Sequence, residues 1–208
     1  MKLSLNIARA SGIFQLLIFY FGYLFTLNID FLLYFLGLIL NNYINKFLKY
    51  NFFSVIFGKN NIPLLGKGIR PKGAKNCCWF KPCDTIYPKY PKSYGMPSGH
   101  SQSIAFFSTL GILFLLNRNI SNNVKNKKII ILGSIILVIS TLFVMYSRVL
   151  FKCHTIEQTI VGALIGIFLA FLLFNCKNKI KNKLKKYHNN ELYLLLIATA
   201  GLLFITFK

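Results

Sequence analysis

Apolar runs long enough to cross a lipid bilayer recur along this chain of 208 residues. A membrane-spanning helix needs about 17 to 25 mainly apolar residues, and several runs of Leu, Ile, Phe, Gly and Tyr reach that length. A soluble domain would not repeat such runs. The pattern predicts an all-α fold, a polytopic membrane bundle of about six transmembrane helices forming one domain over 1–208. The predicted helices are Ser11–Leu27, Phe31–Lys49, Ser98–Asn117, Lys128–Ser147, Thr155–Asn175 and Leu192–Phe207.

The first and second predicted helices differ in how clearly they are marked. No small-residue cleavage site follows the first apolar run, so we expect this run to remain as a helix rather than act as a cleaved signal peptide. In the second helix, the apolar run Phe31–Leu40 gives way to Asn and Lys. Polar side chains in a spanning helix must face protein or water, so this is the least clearly predicted of the six helices.

Two polar segments separate or follow the predicted helices. The segment 50–97 is rich in Lys, Gly, Pro and Tyr, and connections of that length are usually functional or disordered. Within it, the apolar stretch Phe52–Phe57 is interpreted as an interfacial or re-entrant turn. The Lys- and Asn-rich run Cys176–Asn190 is interpreted as a solvated basic loop that flanks the membrane.

The charge balance is strongly basic, with 25 Lys and Arg against four acids and a formal net charge of +21. Such a balance often indicates nucleic-acid binding. Here the basic residues lie between apolar segments, where cations collect beside anionic lipid headgroups. We therefore expect the lipid bilayer, and no nucleic acid, as the partner of these cations.

Five cysteines do not define a redox compartment by themselves. Cys77, Cys78 and Cys83 share the long polar segment, while Cys153 and Cys176 border predicted helices. A disulfide or, less favoured, a metal site among the three loop cysteines is an alternative to unpaired or partly paired thiols. The spacing favours the thiols, and we expect no metal.

The long segment and the short connection Arg148–His154 fall on the same side of a six-helix bundle. On that side, Pro97-Ser98-Gly99-His100 begins the third helix. An early Pro, a capping Ser and a Gly without a side chain form a helix N-terminus whose free amides and dipole can hold an anion. The motif therefore predicts phosphate binding at Ser98 and Gly99.

Cationic and imidazole side chains accompany this motif. Arg148 lies six residues before His154, Arg70 lies in the long segment, and Lys49 lies upstream of it. Arginine and lysine can neutralise phosphate oxygens, while one histidine attacks phosphorus and the other protonates the departing oxygen.

Each of these residues alone has a structural interpretation, such as a cap or a side chain that reaches the headgroups. Their combination on one side of the membrane favours a site for phosphoryl transfer without a metal. His188, the third histidine, lies in the basic run and is interpreted as a solvated bystander.

These residues resemble the motifs of the type 2 phosphatidic acid phosphatase superfamily: a Lys followed by Arg-Pro, then Pro-Ser-Gly-His, then Ser-Arg-x5-His-x3-Asp. Residues 97–100 match the second motif, and Ser147, Arg148 and His154 match the third. The resemblance covers roughly 31–175. It implies a membrane phosphatase without a cofactor, in which His154 is the nucleophile that forms a phosphohistidine and His100 is the proton donor.

Gln158 stands where the third motif usually has Asp. A Gln carbonyl one helical turn after His154 can accept from the imidazole N–H and fix its tautomer, and Glu157 is a rival partner. The residues around both histidines resemble the dolichyl diphosphate phosphatase branch, where Gln is usual at this position. This resemblance implies a polyprenyl diphosphate substrate.

The first motif also departs from the superfamily pattern, because Pro63 stands at the usual position of its Lys. Lys49, at the end of the second helix, and Lys67, in the loop, are the two candidates. We favour Lys49 because a helix positions a charge better than a loop does.

Gly162 and Gly166 are spaced four residues apart, in line with His154 and Gln158 on the fifth predicted helix. Small residues at this spacing allow close contact between helices. Ordinary glycine usage in membrane helices is an equally good explanation, and the sequence does not separate the two.

The third connection, 118–128, carries four cations, and the run Lys177–Lys186 carries six. The positive-inside rule places these segments in the cytosol, so the site is expected to face the lumen of the endoplasmic reticulum. The sequon at Asn119 lies on the proposed cytosolic side, and its glycosylation would reverse this orientation.

The sequence thus favours an enzyme that removes one phosphate from a polyprenyl diphosphate. Dolichyl diphosphate is the favoured substrate, and its recycling would support N-glycosylation. One alternative is a broader phosphatase that acts on phosphatidic acid and related lipids. An alternative of a different class is a non-catalytic membrane scaffold or lipid-binding protein.

Overall fold

The computed structural model describes residues 2–57, 61–62, 66–74, 94–118 and 124–185, most of them in helices. Helix α1 covers Lys2–Thr26 and α2 covers Ile29–Phe47; α2 continues through a π-helical segment, Leu48–Phe53, into the short α3, Ser54–Ile56. Three long helices follow: α4 (Gly99–Arg118), α5 (Val124–Leu150) and α6 (Ile156–Lys185). A two-stranded antiparallel hairpin, β1 (Asn61–Ile62) with β2 (Gly66–Lys67), lies between α3 and α4.

Within the described residues, four stretches of helix are long and apolar enough to cross a membrane: 29–56, 99–117, 127–150 and 156–183. The apolar part of α1, Ser11–Thr26, is shorter. This confirms the predicted all-α membrane fold. The predicted helix Leu192–Phe207 lies outside the described residues.

The predicted ends of two helices were wrong. The stretch Phe52–Phe57 is not a separate turn in a loop, because the helix that begins at Ile29 continues to Ile56. The run that begins at Cys176 is not a loop at its start, because α6 remains helical to Lys185. Lysines near a helix C-terminus are stabilised by the helix dipole. In addition, Nζ of Lys181 lies 2.9 Å from Oδ1 of Asp30 at the start of α2.

The core of the bundle forms where α4 packs against α1, α2 and α6. The apolar side chains that meet there are buried, and they include Tyr23, Leu32, Phe35, Leu38, Phe106, Leu110 and Ala170. Helix α5 instead exposes most of its apolar side chains, with 6% of its spanning window buried. In a bilayer these exposed side chains face lipid, so α5 lies at the periphery of the described bundle.

The close approach of α6 to α4 depends on two glycines. A Cβ atom on Gly162 would lie 2.5 Å from the carbonyl oxygen of Ser98, and a Cβ atom on Gly166 would collide with the carbonyl oxygen of Gln102. Both neighbours are backbone atoms that cannot move aside independently. The contact interpretation of the Gly162–Gly166 spacing is therefore confirmed.

Candidate active site

The segments that carry the candidate residues meet at one end of the bundle. Residues 66–70 lie beside residues 94–96, with a bridge between Ile69 and Tyr94 and a 2.8 Å hydrogen bond from the Gly95 amide to the Gly68 carbonyl. The α5–α6 connection accepts a hydrogen bond from Arg70, and Gln158 in the first turn of α6 lies against both segments. The structure thus brings together three stretches that are far apart in sequence.

The connection between α5 and α6 is a helix C-terminus of the Schellman type. Lys152 has a left-handed backbone with φ of 55°, its amide donates to the Val149 carbonyl at 2.9 Å, and the Cys153 amide donates to the Arg148 carbonyl at 3.0 Å. The His154 amide also approaches the Arg148 carbonyl, at 3.3 Å. The spacing between Arg148 and His154 is therefore set by the geometry of this helix end.

The side chain of Arg148 is completely buried, and its Nε donates to the hydroxyl of Ser147 at 3.1 Å. That hydroxyl in turn donates to the Val144 carbonyl at 2.6 Å. The pair predicted from the third motif is thus held inside the protein, at the end of α5. Its position agrees with a cation that serves the site rather than one that reaches out to lipid headgroups.

The imidazole of His154 is buried, and both of its nitrogens have close neighbours. Nδ1 lies 3.1 Å from Oε1 of Gln158, and Nε2 lies 3.3 Å from Nη1 of Arg70. Arg70 is anchored in turn by a 2.8 Å hydrogen bond from Nη1 to the Cys153 carbonyl. The Gln158 oxygen can only accept, so Nδ1 carries the proton and Nε2 presents its lone pair towards Arg70.

The amide nitrogen of Gln158 confirms the orientation of that side chain. Nε2 of Gln158 donates to two backbone carbonyls, those of Lys67 at 2.8 Å and Ile69 at 2.7 Å. Glu157, the rival partner, instead packs against Gly66. The geometry therefore places Gln158, and not Glu157, beside the imidazole.

Burial lowers the pKa of His154 well below its usual value, and the nearby Arg70 and Lys49 lower it further. The hydrogen bond with Gln158 acts in the opposite direction, and His100 adds a smaller lowering. The imidazole is therefore neutral at physiological pH and keeps the lone pair that a nucleophile needs.

The two candidate lysines, Lys49 and Lys67, differ in their relation to His154. The charge of Lys49, in the π-helical segment, reaches His154, whereas the side chain of Lys67 is exposed and only its carbonyl group contacts the site. π-Helical turns are rare and occur often at functional sites. The position of Lys49 agrees with the preference for a lysine carried by a helix.

The N-terminus of α4 carries the second motif. The Ser98 side chain is buried and accepts a hydrogen bond from the Ser101 hydroxyl at 3.0 Å, while the Ser98 amide donates to the Gln158 carbonyl at 3.0 Å. This amide joins α4 to α6, and phosphate binding at Ser98 stays a prediction. Gly99 and His100 follow in the first turn of α4, and both are partly exposed.

A buried layer of amide side chains below the motif was missed by sequence reasoning. Nδ2 of Asn45 donates to Oε1 of Gln102 at 2.7 Å, and Nε2 of Gln102 donates to the carbonyl and side-chain oxygens of Asn41, both at 3.0 Å. The polar residues that weakened the second predicted helix were the available signal. Their hydrogen bonds join α2 to the beginning of α4, the helix that carries His100.

Cys153, the residue before His154, is disulfide-bonded, and Cys176 is a free thiol. The sequence had not singled out Cys153 for a disulfide. The three loop cysteines, Cys77, Cys78 and Cys83, lie outside the described residues.

The described apolar helices are those of a membrane protein, and they gather two histidines, two arginines and a lysine at one end of the bundle, a set of side chains suited to an anionic group. The sequence profile of the PAP2 superfamily matches residues 30–182, which is most of the chain. The protein belongs to the PAP2 superfamily.

Several curated proteins are similar to part of the chain. Dolichyldiphosphatase 1 of Rhinolophus ferrumequinum is 35% identical over 100 residues, covering 45% of this chain and 41% of that protein. Dolichyldiphosphatase 1 of Dictyostelium discoideum is 40% identical over 83 residues, covering 40% of this chain and 35% of that protein.

A third relative carries a different name. The chloroplastic lipid phosphate phosphatase epsilon 1 of Arabidopsis thaliana is 34% identical over 86 residues, covering 41% of this chain and 29% of that protein. The matches thus span less than half the length of these relatives. No solved structure matches the chain.

Proposed function

We propose that the protein is a membrane lipid phosphatase that hydrolyses a polyprenyl diphosphate, dolichyl diphosphate in particular, to the monophosphate through a phosphohistidine. The observation that carries this proposal is the ring of His154, with Nδ1 held by Gln158 and Nε2 directed towards Arg70. The similarity to proteins named Dolichyldiphosphatase 1 supports the substrate.

In the first step, the Nε2 lone pair of His154 attacks the terminal phosphorus of the diphosphate. An N–P bond forms, and the bond from that phosphorus to the bridging oxygen breaks. The bonding electrons leave with the bridging oxygen, which takes a proton from His100 as dolichyl monophosphate departs. Arg70, Arg148 and Lys49 stabilise the negative charge on the transferred phosphoryl group, and the Gly99 amide adds a hydrogen bond at the α4 N-terminus.

In the second step, water attacks the phosphorus of the phosphohistidine. His100, now neutral, accepts a proton from the water, and the N–P bond breaks with its electrons returning to His154. Inorganic phosphate leaves, and both histidines regain their starting protonation states. The carbonyl of Gln158 holds the Nδ1 proton in both steps, so the same tautomer is restored.

We also propose that the site faces the lumen of the endoplasmic reticulum, where recycling of the lipid carrier supports N-glycosylation. Two observations support this orientation. The lysines at the end of α6 belong in the cytosol by the positive-inside rule, at the end of the bundle opposite His154. The disulfide at Cys153 fits an oxidising compartment on the side of the site.

The deciding experiment measures phosphate release from dolichyl diphosphate by the purified protein in detergent and chelator. Wild-type protein is expected to release phosphate, and His154→Ala is expected to lose essentially all activity because the nucleophile is gone. His188→Ala, which changes the third histidine, is the matched control and should retain wild-type activity. Activity that survives in His154→Ala would disprove the phosphohistidine mechanism.

The same assay with phosphatidic acid tests the substrate. We expect dolichyl diphosphate to be hydrolysed with a clearly higher kcat/KM, and equal turnover of both lipids would instead support a phosphatase of broader range. Wild-type protein without activity on either lipid would reject the enzyme and favour a scaffold or lipid-binding protein.

A further inference from the structure

We infer that Gln158 is a positioning residue for both halves of the site, and that its amide group cannot be replaced by the carboxylate usual in the superfamily. This inference rests on the proposed function. It goes further because it makes the spacing between the nucleophile and the phosphate-binding arginine depend on this side chain. It also states which chemical group that side chain must carry.

The carbonyl end of the Gln158 side chain holds the nucleophile. Oε1 lies 3.1 Å from Nδ1 of His154 and 3.4 Å from the Thr155 amide, so it accepts from donors on its own turn of chain. A carboxylate would accept these hydrogen bonds equally well. This end alone therefore does not explain why an amide occupies the position.

The amino end of the same side chain holds the loop that carries Arg70. Nε2 donates to the carbonyls of Lys67 and Ile69, the latter being the residue directly before Arg70. Two donors are required for these two acceptors, and a neutral amide supplies both of them. A carboxylate would instead direct a negatively charged oxygen at two carbonyl oxygens.

The backbone around Gln158 completes the arrangement. Its carbonyl accepts the Ser98 amide at 3.0 Å, which ties α6 to the start of α4 beside His100. A Cβ atom on Gly95 would collide with Oε1 of Gln158, so the chain before the second motif packs directly on this side chain. Gln158 is completely buried by these contacts.

The physical consequence is a fixed distance between His154 and Arg70. The 3.3 Å separation of Nε2 and Nη1 depends on two anchors, the Cys153 carbonyl that Arg70 holds and the Gln158 amide that holds the loop. Misplacement of a phosphate-binding group by about 1 Å can cost on the order of 100-fold in rate. Loss of the amino end is therefore expected to lower activity even though the nucleophile keeps its acceptor.

The decisive variant is Gln158→Glu, which has nearly the same shape and keeps the acceptor for His154. We expect kcat/KM for dolichyl diphosphate to fall about 10- to 100-fold. Gln158→Asp, which restores the usual residue of the superfamily, is expected to fall at least as far. Glu157→Gln makes the opposite change, from carboxylate to amide, at the neighbouring position. Its kcat/KM should stay within about twofold of wild type, as is usual for substitutions outside the hydrogen-bond network of a site.

A second measurement separates positioning from the chemistry. Hydrogen–deuterium exchange of the peptide containing Gly95 and Met96 reports on the loop, because both amides donate to the Gly68 carbonyl. We expect faster exchange in Gln158→Glu and in Gly95→Ala, which displaces the side chain without changing its charge, and no change in Glu157→Gln. This readout needs no activity, so it remains decisive if wild-type protein fails to hydrolyse any lipid.

The outcomes are distinct. Faster exchange together with a lower kcat/KM supports the double anchor. Wild-type kcat/KM in Gln158→Glu, or unchanged exchange at Gly95 and Met96, would overturn it, because a carboxylate would then serve as well as the amide. If Gln158→Glu does not fold, Gly95→Ala is measured in its place. Unchanged exchange in that variant would also overturn the inference.

Discussion

Nη1 of Arg70 lies 3.3 Å from Nε2 of His154, although 84 residues separate the two in sequence. A guanidinium in front of a neutral imidazole marks the place where an anionic group is expected to enter. Burial and this guanidinium both lower the pKa of the imidazole, and in the proposed mechanism the guanidinium also attracts the phosphate oxygens. One contact therefore serves both binding and the readiness of the nucleophile.

Replacing Arg70 by Lys should lower kcat/KM for dolichyl diphosphate by about 100- to 1000-fold, the usual effect of losing a group that stabilises charge in the transition state. A lysine keeps the charge but cannot contact the Cys153 carbonyl and a phosphate with a planar set of donors. Lys67→Met, on the same loop with an exposed side chain, is the control and should remain near wild type. Comparable losses in both variants would argue against a specific role for Arg70.

Replacing Lys49 by Met should shift the acid limb of the profile of kcat/KM against pH to higher pH. The charge of Lys49 lowers the pKa of His154, so its removal raises that pKa, and the unprotonated nucleophile is lost at a higher pH as the solution is acidified. Arg70 and His100 also lower this pKa and remain in the variant. Lys46→Met, an exposed cation three residues earlier, should leave the limb in place, and a shift to lower pH in Lys49→Met would contradict the assignment.

Replacing Gly162 by Ala should destabilise the protein by about 1 to 3 kcal/mol, as overpacking does in well-packed interiors. The new methyl group would meet the Ser98 carbonyl and push α6 away from the start of α4. Gly133→Ala is the matched control, because its methyl group would meet only the far end of the Leu115 side chain, at 3.1 Å. Thermal denaturation in detergent should separate the two variants, and equal melting temperatures would refute the close contact.

Replacing Cys153 by Ser should lower the free energy of unfolding by about 2 to 4 kcal/mol, since it removes a disulfide cross-link. Cys176→Ser, at the free thiol, should have little effect. Thermal denaturation with and without a reductant checks this: the reductant should destabilise wild type and leave Cys153→Ser unchanged. A reductant that lowers the melting temperature of both proteins equally would place the sensitive bond elsewhere.

Local features of the chain were sufficient to predict most of the fold and to select the two candidate histidines. The apolar length of each run marks the spanning helices, and the spacing from Arg148 to His154 has a local cause, a helix end closed by Lys152. The sequence did not indicate that Lys152 closes this helix end, because Gly is the residue usually found at such a left-handed position. The end of α6 was misjudged because a run of lysines is typical of a solvated loop. Lysines also stabilise a helix C-terminus, and the sequence did not separate the two.

The amino-acid sequence by itself determined that this is a helical membrane protein with phosphate-type motifs at one end, because apolar length and residue chemistry are properties of short segments. Only the tertiary structure showed that the charge of Lys49 acts on His154, and that Gln158 lies beside its ring while Glu157 packs against Gly66. Both results depend on distances between residues far apart along the chain: Lys49 and His154 in the first case, and in the second the carbonyls of Lys67 and Ile69, which fix the orientation of the Gln158 amide. Such distances are set by how α2, α4 and α6 pack together, which no local pattern encodes.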